Sequence, residues 1–392
     1  MKIPYTHLAL FIILALSGCV EPFDPEIDES QANFLVIDGI ITDQPGPYVV
    51  KITQSVPLQK ADSTSYVTGV EVFMEEENGL TEQLVETAPG IYSTSGLQGI
   101  VGKRYRITLD RSGATYQSTW EELEAPAVID SVYYQLESKG TNDPTIDIKG
   151  VQYYVDSHGN PDGVRNYRFE WEETWKIGVT YRALQDYIGN DKTQFAEIPL
   201  YECWRFSNSQ TINLATTNGL SSNVLSNHVI PFITGDEERY SLRHSLLVKQ
   251  FSLDEAEYLF WKALKEANEQ LGSLFDKQPA RVIGNISSTS GGPVALGYFS
   301  ASGVTEQRIY IKQISTLSRT EDCNVEPETL LKAELGQGYE SALLQKIKDG
   351  RIFYRVISPP FQGVIGAIVT TPNCSDCRTK GGDLEKPAFW DE

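Results

Sequence analysis

The chain is short of the residues that most often carry chemistry. Its 392 residues include four histidines, five cysteines and two methionines. His7 falls in an N-terminal apolar stretch that is read below as a signal, which leaves His158, His228 and His244. None of these stands in a His-Glu-x-x-His pattern, and no Gly-x-Ser-x-Gly elbow is present, so two common hydrolase signatures are excluded. Basic residues are few as well: 33 Lys and Arg stand against 53 Asp and Glu, a formal charge of −20. Such a surface repels phosphate backbones and anionic headgroups, so no nucleic-acid partner is expected. After the N-terminal stretch no apolar run is long enough to span a bilayer as a helix. Carboxylates are abundant, and a glycosidase pair could be drawn from them by counting. An acid more often marks a solvated face. No motif carries a mechanism, so the expectation is a non-enzymatic protein without a cofactor.

The most informative segment is Leu16-Ser17-Gly18-Cys19, which ends an apolar run from Leu8 to Leu16 behind a single basic Lys2. The run is too short for a membrane span and reads as a secretory signal, residues 1–18. Its small-small-Cys ending resembles the lipobox of bacterial lipoproteins. That resemblance implies cleavage before Cys19 and acylation of Cys19. Each buried methylene contributes about 0.8 kcal/mol, so several acyl chains hold a protein on a membrane almost irreversibly. Cleavage would take the charge to −21, because Lys2 leaves with the signal. Residues 19–33 then form a lipidated Cys and an acidic, Pro-containing tether that is too poor in apolar residues to build a core. Acids directly after the lipidated Cys also resemble the export signals of surface lipoproteins of the Bacteroidota.

Residues 34–125 read as a β-sandwich. Short β-branched runs such as Phe34–Ile37, Tyr48–Thr53 and Tyr105–Leu109 alternate with turn chemistry, for example Asp43-Gln44-Pro45-Gly46-Pro47. The stretch Pro89 to Tyr105 resembles the paired late strands of immunoglobulin-like or transthyretin-like modules. Ala125-Pro126-Ala127 marks the expected boundary, and residues 126–392 read as a larger β-rich α+β domain. Within it, Tyr167 to Glu172 alternates with period two. One amphipathic helix is expected over about residues 253–275. It opens on a capping box at Ser252–Glu255 and carries apolar residues at Leu253, Ala256, Phe260, Ala263, Leu264 and Ala267. Strands are expected at Ala280–Ile283 and Val294–Phe299, around a Ser/Gly loop at 287–292 that lacks the Lys-Ser/Thr pair of a phosphate cradle. The loop from Asp156 to Gly163 offers a weak calcium candidate in Asp156, Asn160 and Asp162. Its spacing departs from the EF-hand, and Asn160-Pro161-Asp162-Gly163 is a good turn without metal. The expected metal content is therefore none.

With Cys19 acylated, Cys203, Cys323, Cys374 and Cys377 remain. Four cysteines in an exported protein suggest disulfides, and three pairings are open. Cys374-Ser375-Asp376-Cys377 is a C-x-x-C, for which structural disulfide, metal and redox roles compete, with the disulfide reading preferred. A local Cys374–Cys377 bond would close a very short loop, whereas links to Cys203 or Cys323 would stabilise more.

Taken together, the lipobox followed by Val20-Glu21-Pro22-Phe23, the run Val36 to Tyr48, Gly284-Asn285-Ile286 leading to Leu296–Ser302, and the ending Cys374 to Trp390 resemble the family catalogued as domain of unknown function 4249. The resemblance implies a Bacteroidota lipoprotein of the cell envelope, anchored to the outer membrane through Cys19, facing either the periplasm or the cell surface. It implies an accessory or ligand-binding partner of a TonB-dependent receptor. It carries no catalytic residues and no established activity. The alternative is a free-standing surface lipoprotein that binds or hydrolyses carbohydrate, using Trp171, Trp175, Trp204 and the surplus of acids.

Overall fold

A computed structural model describes residues 34–56, 64–141, 143, 145–235, 238–269, 282–317, 323 and 325–390. The signal, Cys19 and the tether lie outside the described residues. The protein is mainly β, with several sheets and few helices.

Two six-stranded sheets form the first body. One runs through Leu35–Thr42, Val49–Gln54, Ile91–Ser93 and Val85–Ala88. The other runs through Ala114–Ser118, Arg104–Arg111, Glu71–Glu76 and Thr81–Gln83. Alternation sets the buried faces. Ile37, Ile41, Val50 and Ile52 from the first sheet meet Val72, Met74, Ile107 and Leu109 from the second in one core. Each sheet also takes an edge strand from beyond the expected boundary at residue 125. Ala295–Ser302 pairs parallel with Leu35–Thr42, and Ile286–Ser288 pairs antiparallel with Ala114–Ser118. Of the strand expected at 280–283, residues 280 and 281 lie outside the described residues and Val282 and Ile283 are in no strand; the strand that follows is Ile286–Ser288, which takes in Ser287 and Ser288 from the expected loop.

The second body packs a three-stranded sheet (Val128–Gly140, Asp147–His158, Val224–Thr234) against a five-stranded one (Glu202–Asn208, Asn166–Gly178, Arg243–Leu253, Val304–Lys312, with Asn213–Thr216). Val151, Tyr153 and Val155 face Tyr167, Phe169, Leu246 and Val248 in its core. The two bodies share one run of chain. Ala295–Ser302 belongs to the first and Val304–Lys312 to the second, with only Gly303 between them. A Cβ on Gly303 would come within 2.3 Å of the Pro126 nitrogen, so the crossing requires glycine there. A smaller three-stranded sheet near the C-terminus (Glu328–Leu331, Ile352–Ile357, Gly366–Thr370) is covered by a helix, Tyr339–Lys348, through Leu343.

The prominent helix, α1, spans Glu255–Glu269. Its start corrects the expected capping box. Ser252 and Leu253 finish the strand Arg243–Leu253, and the Ser252 hydroxyl accepts instead from the Ala127 amide at 3.1 Å. The cap is Asp254, whose Oδ1 accepts from the Glu257 amide at 2.7 Å. Sheet pairing satisfied Ser252 first, so the cap moved two residues on. Residues 270–275 of the expected helix lie outside the described residues.

Candidate functional site

A cleft of about 770 Å³ opens between α1 and the first body. The local chain path explains it. Thr119 to Glu121 follow the strand Ala114–Ser118 and turn under the helix. Asn285, just ahead of Ile286–Ser288, pins that turn: its Nδ2 donates to Glu121 Oε1 and to the Phe299 carbonyl, both at 2.9 Å, and its Oδ1 accepts from the Phe299 amide at 2.9 Å. Tyr298, on the borrowed strand, lies 4.9 Å ring to ring from Phe260 of α1, and its hydroxyl reaches Glu121 Oε2 at 3.5 Å. The close approach beneath depends on glycine. A Cβ on Gly284 would fall 1.5 Å from the Gly297 carbonyl oxygen, and Gly297 itself has φ +99°.

Leu259, Phe260 and Ala263 of α1 form one wall, Val282 and Ile283 another, and Trp120 and Tyr298 complete the apolar lining. Leu259 and Ile283 are 52% and 61% exposed, high for such side chains. Glu121, Asp254 and Glu266 supply the charge. Burial raises the Glu121 pKa above the usual carboxylate range, and Asp254 adds to the rise. Donation from Thr119, Asn285 and Tyr298 works against it. The Tyr298 hydroxyl is pushed up, first by burial and then by the charges of Glu121, Asp254 and Glu257. Under the cleft floor, Glu257 accepts from Trp261 Nε1 at 3.0 Å and from the hydroxyls of Ser300 at 2.6 Å and Ser302 at 3.4 Å. Burial raises its pKa too, and the charge of Arg168 opposes the rise. Glu257 thereby ties α1 to the strand Ala295–Ser302 of the first body.

The sequence did not bring these residues together as a site. One signal was available: Glu257 is an acid on the inward stripe of an otherwise apolar helix face, with Trp261 four residues on. Glu121 gave none, and Asn285 stood only within the family motif Gly284-Asn285-Ile286; their pairing spans 164 positions.

The residues singled out as candidate sites lie elsewhere. Asp156, Asn160 and Asp162 do not converge on a cation site. Asp156 Oδ1 accepts from the Asn227 amide at 2.6 Å, while Asn160 Oδ1 accepts from the Asp162 amide at 3.2 Å within a tight turn. Among the described residues no group of three or more His, Cys, Asp or Glu could hold a metal. Trp171, Trp175 and Trp204 are core residues rather than a stacking surface, at 7%, 2% and 6% exposed. The histidines have separate partners. His158 meets Asp130 at 2.8 Å and His228 meets Asn213 at 2.7 Å. His244 lies wholly buried between the Tyr153 hydroxyl at 3.1 Å and Glu173 at 3.2 Å. Burial holds it toward the neutral form, and this buried hydrogen-bonded cluster organises the second core. Cys203 bonds Cys377, and Cys323 bonds Cys374. Both members of the C-x-x-C therefore reach outward, and the first bridge sits in an apolar cluster with Trp175 and Ile177.

A search of curated proteins found no match. A family model, described as domain of unknown function (DUF4249), matches residues 20–308. The match takes in α1, all described residues lining the cleft, the first body and the second as far as residue 308 within Val304–Lys312, and it stops before Cys323, Cys374 and Cys377. With most of its length covered by that match, the chain belongs to the DUF4249 family.

Proposed function

We propose that the protein is an outer-membrane lipoprotein, anchored through acyl chains on Cys19, that serves as an accessory or ligand-binding partner of a TonB-dependent receptor. The observation that carries the ligand-binding part is the cleft against α1. Its volume suits a drug-sized molecule, and apolar walls with a few convergent polar groups are the usual make-up of a capture site. The anchor and the envelope location rest on Leu16–Cys19 and the acidic residues behind it. The receptor partnership rests on the family resemblance. The proposed role is non-enzymatic. Asp254 is engaged as a helix cap and Glu121 by neutral donors, and among the described residues the cleft's lining includes no serine, cysteine or histidine nucleophile. A free-standing carbohydrate binder has less support, because the three tryptophans it would use are buried.

Affinity purification of the tagged full chain from its own envelope in mild detergent tests this role. Co-recovery of a large β-barrel receptor is the expected result. Repeated recovery of the lipoprotein alone would contradict it.

A further inference from the structure

The cleft's charge is one-sided, and its walls are apolar. Three acids line it, and among the described residues no lysine, arginine or histidine does. Glu121 is buried, and the hydrogen bonds it receives come from neutral groups: the Thr119 hydroxyl, the Asn285 amide and the Tyr298 hydroxyl. The charge acting on it is that of Asp254, another acid, so the two repel each other across the floor. The arginines packed around its lining residues are committed elsewhere: Arg104 pairs with Glu77 at 3.1 Å and donates to the Trp120 carbonyl at 3.2 Å. Arg106 stacks on Trp120 at 4.3 Å and is held by Glu75 at 2.7 Å. Arg168 is clamped between Phe251 and Trp261, at 4.5 and 4.3 Å, and is paired with Glu170. An anion entering the cleft would meet uncompensated negative charge. A sugar would find the Thr119 and Asn285 side chains already engaged. A hydrated metal ion would gain nothing from Leu259, Phe260 and Ile283.

We infer that the cleft takes a small organic cation with an apolar body, its ammonium group toward Glu121 and Asp254 and its body against the α1 wall. Charge complementarity supplies the selectivity, aromatic faces at Trp120 and Phe260 add to it, and burial of the apolar body supplies most of the affinity. This rests on the reading of the cleft as a ligand site and adds the ligand's chemical class.

Three probes with the same ring system separate charge from shape: tryptamine (cation), tryptophol (neutral) and indole-3-acetate (anion). Each is titrated calorimetrically into the full-length protein in detergent. Tryptamine should bind about tenfold more tightly than tryptophol, and indole-3-acetate should bind weakest. In Asp254→Asn with Glu266→Gln the tryptamine advantage should shrink several-fold while tryptophol is unchanged, since Asn caps a helix as well as Asp. Ala263→Trp, at an exposed helix position facing the cleft, should remove binding of all three. Equal affinity for the three probes, all lost in Ala263→Trp, would overturn the cation inference and leave the cleft standing as a capture site. Absence of binding by every probe at millimolar concentration would overturn it as well. Failure to recover a receptor alongside an intact tryptamine preference would refute the partnership and not the ligand class.

Discussion

Replacing both members of the Cys203–Cys377 bridge by alanine should destabilise the protein more than any single change in the cleft. The bridge spans 174 positions, and the Cys323–Cys374 bridge, spanning 51, is nested inside it. With the inner bond intact the outer ring shortens to 174 − 51, about 123 residues. The chain-entropy relation then assigns roughly 5 kcal/mol to the outer bond and about 4 kcal/mol to the inner one at 25 °C. Removal of native bridges typically costs about 2–5 kcal/mol, so the outer pair should fall at the upper end of that range. Both sulfur atoms are wholly buried beside Trp175 and Ile177, and their loss adds a cavity term in the same direction. Alanine is the appropriate replacement, because serine would bury an unpaired hydroxyl. Urea unfolding followed by tryptophan fluorescence measures the effect, with Trp175 and Trp204 as close reporters. The expected result is a lower midpoint for Cys203→Ala with Cys377→Ala, and a smaller drop for Cys323→Ala with Cys374→Ala. A loss under about 1 kcal/mol for the outer pair, or a larger loss for the inner pair, would refute the loop-length reasoning.

Three further outcomes are expected. Glu257→Ala should cost about 3 kcal/mol or more, because it strands the donors of Trp261, Ser300 and Ser302, while Glu257→Gln, which keeps an acceptor, should cost less than half of that in the same unfolding assay. His228 is held down to about 4 by burial and by Lys265, so the unfolded chain binds the extra proton between 6.5 and 4. Its contribution is therefore present above pH 6.5 and lost as pH falls toward 4, on the order of 3 kcal/mol. His228→Gln should remove that part of the acid sensitivity, and parallel stability–pH profiles for the two proteins would contradict the assignment. Trp390, buried against Trp204 and Tyr310 with Arg243 over its ring, should cost roughly 3–5 kcal/mol on replacement by alanine, read as a drop in denaturant midpoint.

Local patterns in the sequence report local structure well here and long-range partners poorly. The period-two run from Tyr167 to Glu172 lies in the strand Asn166–Gly178, and the turn chemistry at 43–47 sits between the first two strands. The family was legible because its signals, such as Gly284-Asn285-Ile286 and Leu296-Gly297-Tyr298, are sequence motifs. Their physical reason was not legible. Gly284 is required by its contact with the Gly297 carbonyl, whereas Gly297 is required by its φ of +99° and by the Ile37 backbone on the strand it pairs with in parallel, some 260 positions earlier. No periodicity announces such a partner. The helix was read two residues early because Ser252 can serve either as a cap or within a strand, and sheet pairing decided it. The tryptophans were ambiguous for a similar reason: a period-two aromatic on a strand can stack on a ligand or fill a core, and only the second sheet settles which. The cleft itself arises where α1, the borrowed strand and the Thr119–Glu121 turn meet, and these segments lie far apart in sequence.

The central claim is that the cleft against α1 holds the protein's ligand. Native mass spectrometry of the full-length protein, extracted with mild detergent from the envelope that makes it, tests this most directly. The account predicts a small-molecule adduct, released on denaturation, on the unaltered protein, and its loss in Ala263→Trp. An identical adduct on both proteins, or no adduct on either, would contradict it.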